Sequence, residues 1–299
     1  MLSNKTVAQK EDNTKPNQIG ALGSKKIDDT QRKAYLNSKG IRHEQMELSL
    51  VFPEIGLRED LRHIPNEYAR SSIFTVRNKK EKRKQYLQEK LYHYNDHVSI
   101  VYTGLELRAD DDELVWLEIM KYGANVALGE PFEFNIVDLM RGLDWPRNGR
   151  NYTRIRQSLS RLKATEVQAI NNKAYGKSGA ISLIKQYTSV NDSKGNPTEY
   201  RVWIDPDLIV MFAGGTFTNV KWDIYRKLSP VARRLADYLE SHRNPYPLSA
   251  EKFRLICGSS NENSRSWLQQ VRNACSELEA AKIVSVAKLD KKNQICCVR

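Results

Sequence analysis

Phe132 to Val167, FEFNIVDLMRGLDWPRNGRNYTRIRQSLSRLKATEV, reads as a short strand, a helix, a tight turn and a second helix. The pattern returns at Leu248 to Ile283, LSAEKFRLICGSSNENSRSWLQQVRNACSELEAAKI. Few residues are identical between the copies, but the physical register agrees. In the first helix Asn135 matches Ser249, Leu139 matches Phe253 and Leu143 matches Cys257. In the second helix Tyr152 matches Leu268, Ile155 matches Val271, Leu159 matches Cys275 and Leu162 matches Leu278. The turn of the second copy is longer by two residues. Asn135 and Ser249 stand at N-cap positions, where a short polar side chain accepts a hydrogen bond from an unpaired amide. Two small helices joined by a tight turn suggest a helix-turn-helix. Apolar spacing of three and four also fits an ordinary helical hairpin in a core, so charge has to decide.

Strands follow each copy. After the first come Val167 to Asn171, Ala180 to Val190 and Tyr200 to Ile204, separated by the turn-rich AYGKSG and NDSKGNP. A helix over Pro230 to His242 precedes the second copy, and Ile283 to Val286 and Gln294 to Val298 flank the turn LDKKN after it. A helix-turn-helix followed by strands and flexible loops is the layout of a winged helix. Pro206, Gly214 and Gly215 interrupt the pattern between Asp205 and Thr216 and mark a boundary. Upstream, Val98 to Tyr102 alternates like a strand. Asp110 to Tyr122, DDDELVWLEIMKY, is a helix with acids in its first turn, which suits the helix dipole. Those acids could hold a metal, but no other ligand converges on them in sequence, and helix capping is the preferred reading.

The predicted architecture is therefore α+β, two tandem winged-helix domains with a disordered N-terminal arm. The arm covers 1–60, a basic linker or helical segment 61–96, the first winged helix 97–208 and the second 209–299. The arm is polar and lacks a sustained period, apart from a short helix near Asp29 to Asn37.

Among 299 residues, 40% are hydrophobic and 28% charged, which fits a soluble globular protein with a polar tail. No apolar run approaches the roughly 20 residues of a membrane span. The N-terminal MLSNKTVAQKEDNTKPNQ has no apolar signal core. The four cysteines, Cys257, Cys275, Cys296 and Cys297, form no C-x-x-C pair, and the first two fall on apolar helix faces. A reducing cytoplasm and no zinc site follow as the simpler expectation. The formal net charge of +12 favours a polyanion, nucleic acid or an acidic membrane surface. The run Arg77 to Lys90, RNKKEKRKQYLQEK, carries seven Lys or Arg against two Glu. It reads as a solvated linker or as a phosphate contact.

Catalytic motifs fail on their spacing. Gly176-Lys177-Ser178 lacks the upstream glycine of a phosphate-binding loop, because position 171 is Asn, and a strand follows where a helix should. His93 and His97 could share a helix face but have no third ligand, so surface or interface roles are preferred. A strand-nicking relaxase would want a His-x-His cluster, which is absent. The chain is expected to be no enzyme and to need no cofactor.

Charges on the two second helices then favour nucleic acid. Opposite the apolar stripe of the first lie Arg150, Thr153, Arg154, Gln157 and Arg161, with Arg147 just before the helix and Arg156 and Lys163 flanking the stripe. Seven basic residues and one acid between Arg141 and Lys163 supply half of the net charge. The second helix instead offers Ser266, Gln269, Gln270 and Asn273, with Arg265 and Arg272 beside them. Amides can bond adenine bidentately and arginine reads guanine. The expectation is that Arg150, Arg154 and Arg161 hold a duplex while Gln269, Gln270 and Asn273 read it, with Thr153 and Gln157 adding readout in the first domain.

Longer strings carry a family resemblance: ARSSIFTVRNKK (Ala69 to Lys80), YTGLELRADDDELVW (Tyr102 to Trp116), YRKLSPVARRLADY (Tyr225 to Tyr238), SHRNPYPL (Ser241 to Leu248) and FRLICGS (Phe253 to Ser259). From about Ile64 to its C-terminus the chain resembles the TrfA family of plasmid replication initiators. The resemblance implies binding to direct repeats (iterons) at a plasmid origin and opening of an adjacent A/T-rich region, where one strand is a candidate contact. It also implies recruitment of the host initiator DnaA, the replicative helicase and the sliding clamp. Monomers would be active on DNA and homodimers would restrain replication. In the arm, Gln45, Leu48 and Leu50 resemble the Q-x-x-L-x-L form of a clamp-binding peptide. Val51 between Leu50 and Phe52 excludes the shorter Q-L-x-L-F form, and a docking strand of the chain itself is the competing reading. The rival function is a winged-helix transcriptional repressor with the same DNA-binding parts.

Overall fold

A computed structural model of the chain places Asn135 and Ser249 as helix caps. The Asn135 side chain accepts from the Val137 amide, and Ser249 accepts from the Lys252 amide. The structure describes residues 59–123, 126, 129–171, 180–193, 195–205, 208 and 217–299. Nearly all of the expected arm lies outside these residues. So do the helix expected near Asp29 to Asn37, the peptide bearing Gln45, Leu48 and Leu50, and the boundary glycines 214 and 215.

In chain order, β1 (Leu61–Pro65) leads through α1 (Asn66–Ala69) to β2 (Phe74–Thr75), β3 (Gln85–Leu91), β4 (Val98–Leu105), β5 (Leu107–Arg108) and α2 (Asp112–Gly123). Next come β6 (Phe132–Asn135), α3 (Ile136–Gly142) and α4 (Gly149–Lys163). β7 (Glu166–Asn171), β8 (Ala180–Ile181), β9 (Gln186–Asn191) and β10 (Pro197–Trp203) follow. β11 (Phe217–Lys221) and α5 (Trp222–Tyr225) lead to α6 (Pro230–Glu240). β12 (Leu248–Ser249), α7 (Ala250–Ile256), α8 (Ser264–Ala280), β13 (Val286–Leu289) and β14 (Gln294–Val298) complete the chain.

The two copies share one topology. In each, a helix (α2 or α6) precedes a short strand, two helices and a hairpin whose last strand lies between the other two. The sheet orders are β6-β10-β9 and β12-β14-β13, all antiparallel. This is the winged helix twice over. The copies differ in one insertion. Between α4 and the first wing, β7 and β8 leave the wing and extend a second sheet of order β3-β4-β7-β8. The strand expected at Val167 to Asn171 is present, but β4 is its neighbour, paired from Val98↔Asn171 to Thr103↔Glu166.

Two core clusters match the two units. The first runs from Ile64 to Tyr225 and the second from Leu228 to Ile295. In the first, α2 is buried along most of its length, from Asp112 to Met120. It therefore packs on several sides and shows no clean polar face.

Two expectations about the division of the chain need correction. Residues 61–96 are not a linker or a helical segment. They hold β1, β2 and β3, and the helix among them is the four-residue α1. The boundary expected after residue 208 falls too early. β11 pairs antiparallel with β1, from Leu61↔Lys221 to Pro65↔Phe217, and Trp222 and Tyr225 bury in the first core. Arg62, 3% exposed, locks this closure. Its guanidinium lies 4.8 Å from the Trp222 ring centroid and donates twice to Glu118 Oε2, at 2.9 and 2.7 Å.

His93 and His97 lie in the β3–β4 connection and not on a helix. His93 is buried with Nε2 3.2 Å from Glu67 Oε2, and its Nδ1 meets the Asn95 backbone. His97 is exposed.

The units meet through backbone. The Val76 amide donates to the Cys257 carbonyl at 2.9 Å. Gly258, at φ +53°, sits where a Cβ would come within 2.9 Å of Thr75 Cγ2, so both its left-handed conformation and the close approach require glycine.

Candidate nucleic-acid interface

α4 begins at Asn148, whose side chain accepts from the Asn151 amide at 3.0 Å. Its buried face is Asn151, Ile155, Ser158, Leu159 and Leu162. Two of these are polar and satisfied internally: Asn151 Nδ2 donates to the Pro146 carbonyl, and Ser158 Oγ accepts from Arg161. Burying Asn151 and Ser158 rotates the helix relative to a stripe centred on Tyr152 and Leu159. Tyr152 ends half-buried.

The rotation sorts the expected site residues. Arg147, Arg150, Thr153 and Gln157 are exposed. Arg154 and Arg161 do not face outward, and that expectation is corrected. Arg154 lies 3.8 Å over the Trp145 ring centroid and donates to the backbone and side chain of Asp110. Arg161 donates to Asp112 Oδ1 at 2.9 and 2.7 Å. In their place the helix exposes Arg156 and Lys163 beside Ser160. These two are the cations the helical wheel set on the flank. A polar residue at a buried position was the missing signal: Asn148 caps the helix, while Asn151, three residues on, is buried and turns its amide back to the Pro146 carbonyl. Ser160 Oγ lies 3.0 Å from Tyr187 Oη, which ties the helix to wing strand β9.

The acids at the start of α2 have thereby found partners among distant cations. Asp111 takes two bonds from Arg83, at 2.9 and 2.6 Å. Asp112, fully buried, is held between Arg83 and Arg161. Burial and the adjacent Asp111 raise Asp112 to about 6, against both arginines. Burial also pushes Asp111 upward, but the guanidiniums of Arg83, Arg161 and Arg154 together hold Asp111 below the ordinary range. The cluster is an ionic clamp between α2, α4 and the basic run, more than a helix cap. Among the described residues no group of three or more His, Cys, Asp or Glu is placed to hold a metal ion.

α8 is capped by Asn263, which accepts from the Ser266 amide. Trp267, Val271, Ala274, Cys275 and Leu278 are buried. The wheel had Leu268 where Trp267 carries the burial. Arg265, Ser266, Gln269, Arg272 and Asn273 are exposed, and Gln270 is half-buried at the edge of that face. Gln269 Nε2 donates to Asn273 Oδ1 at 2.9 Å, one turn along, so the two amides form a single planar-group pair on the surface. Ser266 accepts from Asn261 Nδ2. The wing beside α8 turns at Asp290, whose carboxylate accepts from the Lys292 and Gln294 amides and leaves Lys291 and Lys292 exposed at the tip.

Each unit thus presents its third helix outward beside a wing. One exposed face is cationic with hydroxyls, the other is mostly amide and hydroxyl. One solved structure shares this fold. A crystal structure of domains 2 and 3 of RctB matches with a TM-score of 0.53 at 16% identity, covering 72% of this chain and 85% of that one, a likeness of fold alone. The chain is 40% identical over 264 residues to the plasmid replication initiator protein TrfA of Escherichia coli, a match spanning 88% of this chain and 68% of that protein. The family model described as TrfA protein matches residues 15–299. With nearly the whole length matched, the chain belongs to the TrfA family of plasmid replication initiators.

Proposed function

We propose that the protein binds direct repeats at a plasmid origin by laying α4 and α8 in major grooves of one duplex. It then opens an adjacent A/T-rich segment and recruits DnaA, the replicative helicase and the sliding clamp. The observation that carries this reading is the pair of topologically equivalent third helices, each exposed beside its wing, with complementary surface chemistry. Arg147, Arg150, Arg156 and Lys163 supply phosphate contacts, with Thr153 and Gln157 within reach of bases. Arg265, Ser266, Gln269, Gln270, Arg272 and Asn273 read base edges. Arg154 and Arg161 serve by fixing α4 against α2. The monomer is the active form on DNA, and a homodimer in solution restrains it.

A nuclease footprint on the replicon that encodes the chain tests this, with the two faces altered separately. Arg156→Ala lowers the magnitude of the log–log salt slope by about 0.9 and leaves sequence preference near wild type. Gln269→Ala with Asn273→Ala leaves the slope and relaxes preference by about 1–3 kcal/mol at the base pair they read. Identical effects from both variants would contradict the division of labour.

The peptide bearing Gln45, Leu48 and Leu50 is the proposed clamp contact. Replacing all three with Ala abolishes capture by immobilised sliding clamp and preserves duplex binding. Undiminished capture rejects the assignment.

A further inference from the structure

Between the two helix-turn-helix units the chain holds a short, rigid turn of cations. Asn78 to Glu81 closes on itself: the Glu81 amide donates to the Asn78 carbonyl, and the Asn78 side chain accepts from the Lys80 amide, both at 3.0 Å. Arg108, 4% exposed, grips both ends from below, donating to the Asn78 carbonyl at 3.1 Å and the Glu81 carbonyl at 2.9 Å. The turn touches the surroundings of both outward helices. On one side Lys79 Nζ lies 2.9 Å from Asp110, the same carboxylate that receives Arg154 of α4. On the other side Glu81 accepts from Ser260 Oγ at 3.0 Å, in the turn leading into α8.

The acids near this turn are occupied. Asp111 and Asp112 are bound by Arg83 and Arg161, and Glu106 by Arg77 and Arg108. Lys80 and Lys82 are exposed, and neither side chain has an ion-pair partner among the described residues. The structure therefore pairs Arg77, Lys79, Arg83 and Lys84 of the basic run and leaves over Lys90, far along β3, and Lys80 and Lys82, in and just past a turn whose backbone is already held.

Two helices in successive major grooves of one duplex are separated by a minor groove edged with phosphates. We infer that the turn Asn78–Lys82 is a third DNA contact, in which Lys80 and Lys82 bind backbone phosphates between the segments covered by α4 and α8. The inference rests on the reading that both helices engage one duplex. A phosphate contact needs only charge and position, which the turn supplies. Because Arg108 and the Asn78 side chain hold the loop in advance, little ordering of backbone opposes binding. The contact carries no sequence information. Its role is to fix how far along the duplex the two reading helices sit from each other.

The test is the salt dependence of binding by the full chain, read by fluorescence anisotropy. Wild type is compared with Lys80→Gln/Lys82→Gln on a duplex from the protected origin region and on an unrelated duplex of equal length. Losing two phosphate contacts, at about 0.9 each, lowers the magnitude of the log–log slope by about 1.8 on the origin duplex, with a drop in the same direction on the other. The preference for the origin duplex stays near wild type, and Lys80→Arg/Lys82→Arg returns the slope. An unchanged slope in the glutamine variant overturns the third contact and leaves the reading of α4 and α8 standing, so long as wild type still prefers the origin duplex. A wild type without that preference overturns the α4 and α8 reading, while the slope on the unrelated duplex still decides whether the turn binds phosphate.

Discussion

Replacing Arg234 with alanine is expected to destabilise the folded chain by about 3–5 kcal/mol, the usual cost of stripping one partner from a buried ion pair. Arg234 is completely buried on α6. It donates to Glu113 Oε1 of α2 at 3.1 Å and to Asp237 Oδ2 of its own helix at 2.7 Å. Its second terminal nitrogen, Nη2, donates to the carbonyls of Tyr68, Ala69 and Ser71, at 3.2, 3.0 and 2.6 Å. Arg233 beside it reaches the Ala109 carbonyl, and Tyr225 Oη donates to Asp237. One guanidinium thus binds a helix of the first unit, a helix of the second and the C-terminal end of α1 with the residues just past it. Without it two carboxyls remain in the interior with no full counter-charge.

The cost should depend on pH with a definite sign. Burial, and then the nearby Glu113 carboxylate, push Asp237 up to about 8, against Arg234. A carboxyl raised on folding takes up a proton in the folded state. Its contribution to stability is present in full below its unfolded value near 4 and is lost as pH rises toward 8. Removing the guanidinium drives both carboxyls further up, and in acid they simply stay neutral. Denaturant unfolding of wild type and Arg234→Ala should therefore show a larger difference near pH 8 than near pH 5. Equal differences would mean that the carboxyls are not the source.

Trp267→Ala is expected to cost about 3–5 kcal/mol, in the range for deleting a large aromatic from a core. Trp267 is 2% exposed, and its Nε1 donates to the Ala250 carbonyl at 2.7 Å. Its ring lies 5.7 Å from that of Phe253, centroid to centroid. The indole therefore sets the angle of α8 on α7, at the start of the face that carries Gln269 and Asn273. The loss should fall on the second core, giving an earlier unfolding transition while the first core persists. Preference for the origin duplex should fall to the part that Thr153 and Gln157 of α4 supply, and the salt-dependent binding of α4 should remain. Wild-type preference in a variant of lowered stability would show that α8 does not depend on this anchor for its orientation.

Local signals carried most of the architecture. Capping residues, apolar spacing and turn-rich strings predicted both helical pairs, α2, α6 and the strands β10 and β14. By contrast, β13 lies at Val286–Leu289 and not at Ile283 to Val286, and the strand expected over Ala180 to Val190 splits into β8 and β9 of different sheets. The failures share one cause, a partner distant in sequence. β1 has a weak pattern because what stabilises it is β11, far along the chain. Arg77 and Arg83 look like solvated charges until Glu106, Asp111 and Asp112 fold back onto them. The same acids claim Arg161 and so turn an expected DNA ligand inward. On α4 the wheel misplaced the outward face because two of its buried positions are Asn151 and Ser158, polar residues whose satisfaction depends on a turn and on Arg161. The cationic character of α4 was legible, but which of its cations remain free was set by tertiary pairing.

The antiparallel pairing of Leu61 with Lys221 has a consequence for the order in which the chain is made and folded. A ribosome delivers β1 first and its neighbour in the sheet only after the whole first winged helix has emerged. Until then β1 is an open strand edge, the kind of surface that seeks other chains. Closing so long a loop also slows folding relative to the local helical pairs. The first unit is therefore finished only as α6 begins to appear. A fragment cut at residue 208 would keep both α4 and its wing, yet leave the floor beneath α2 without the strand that seals it.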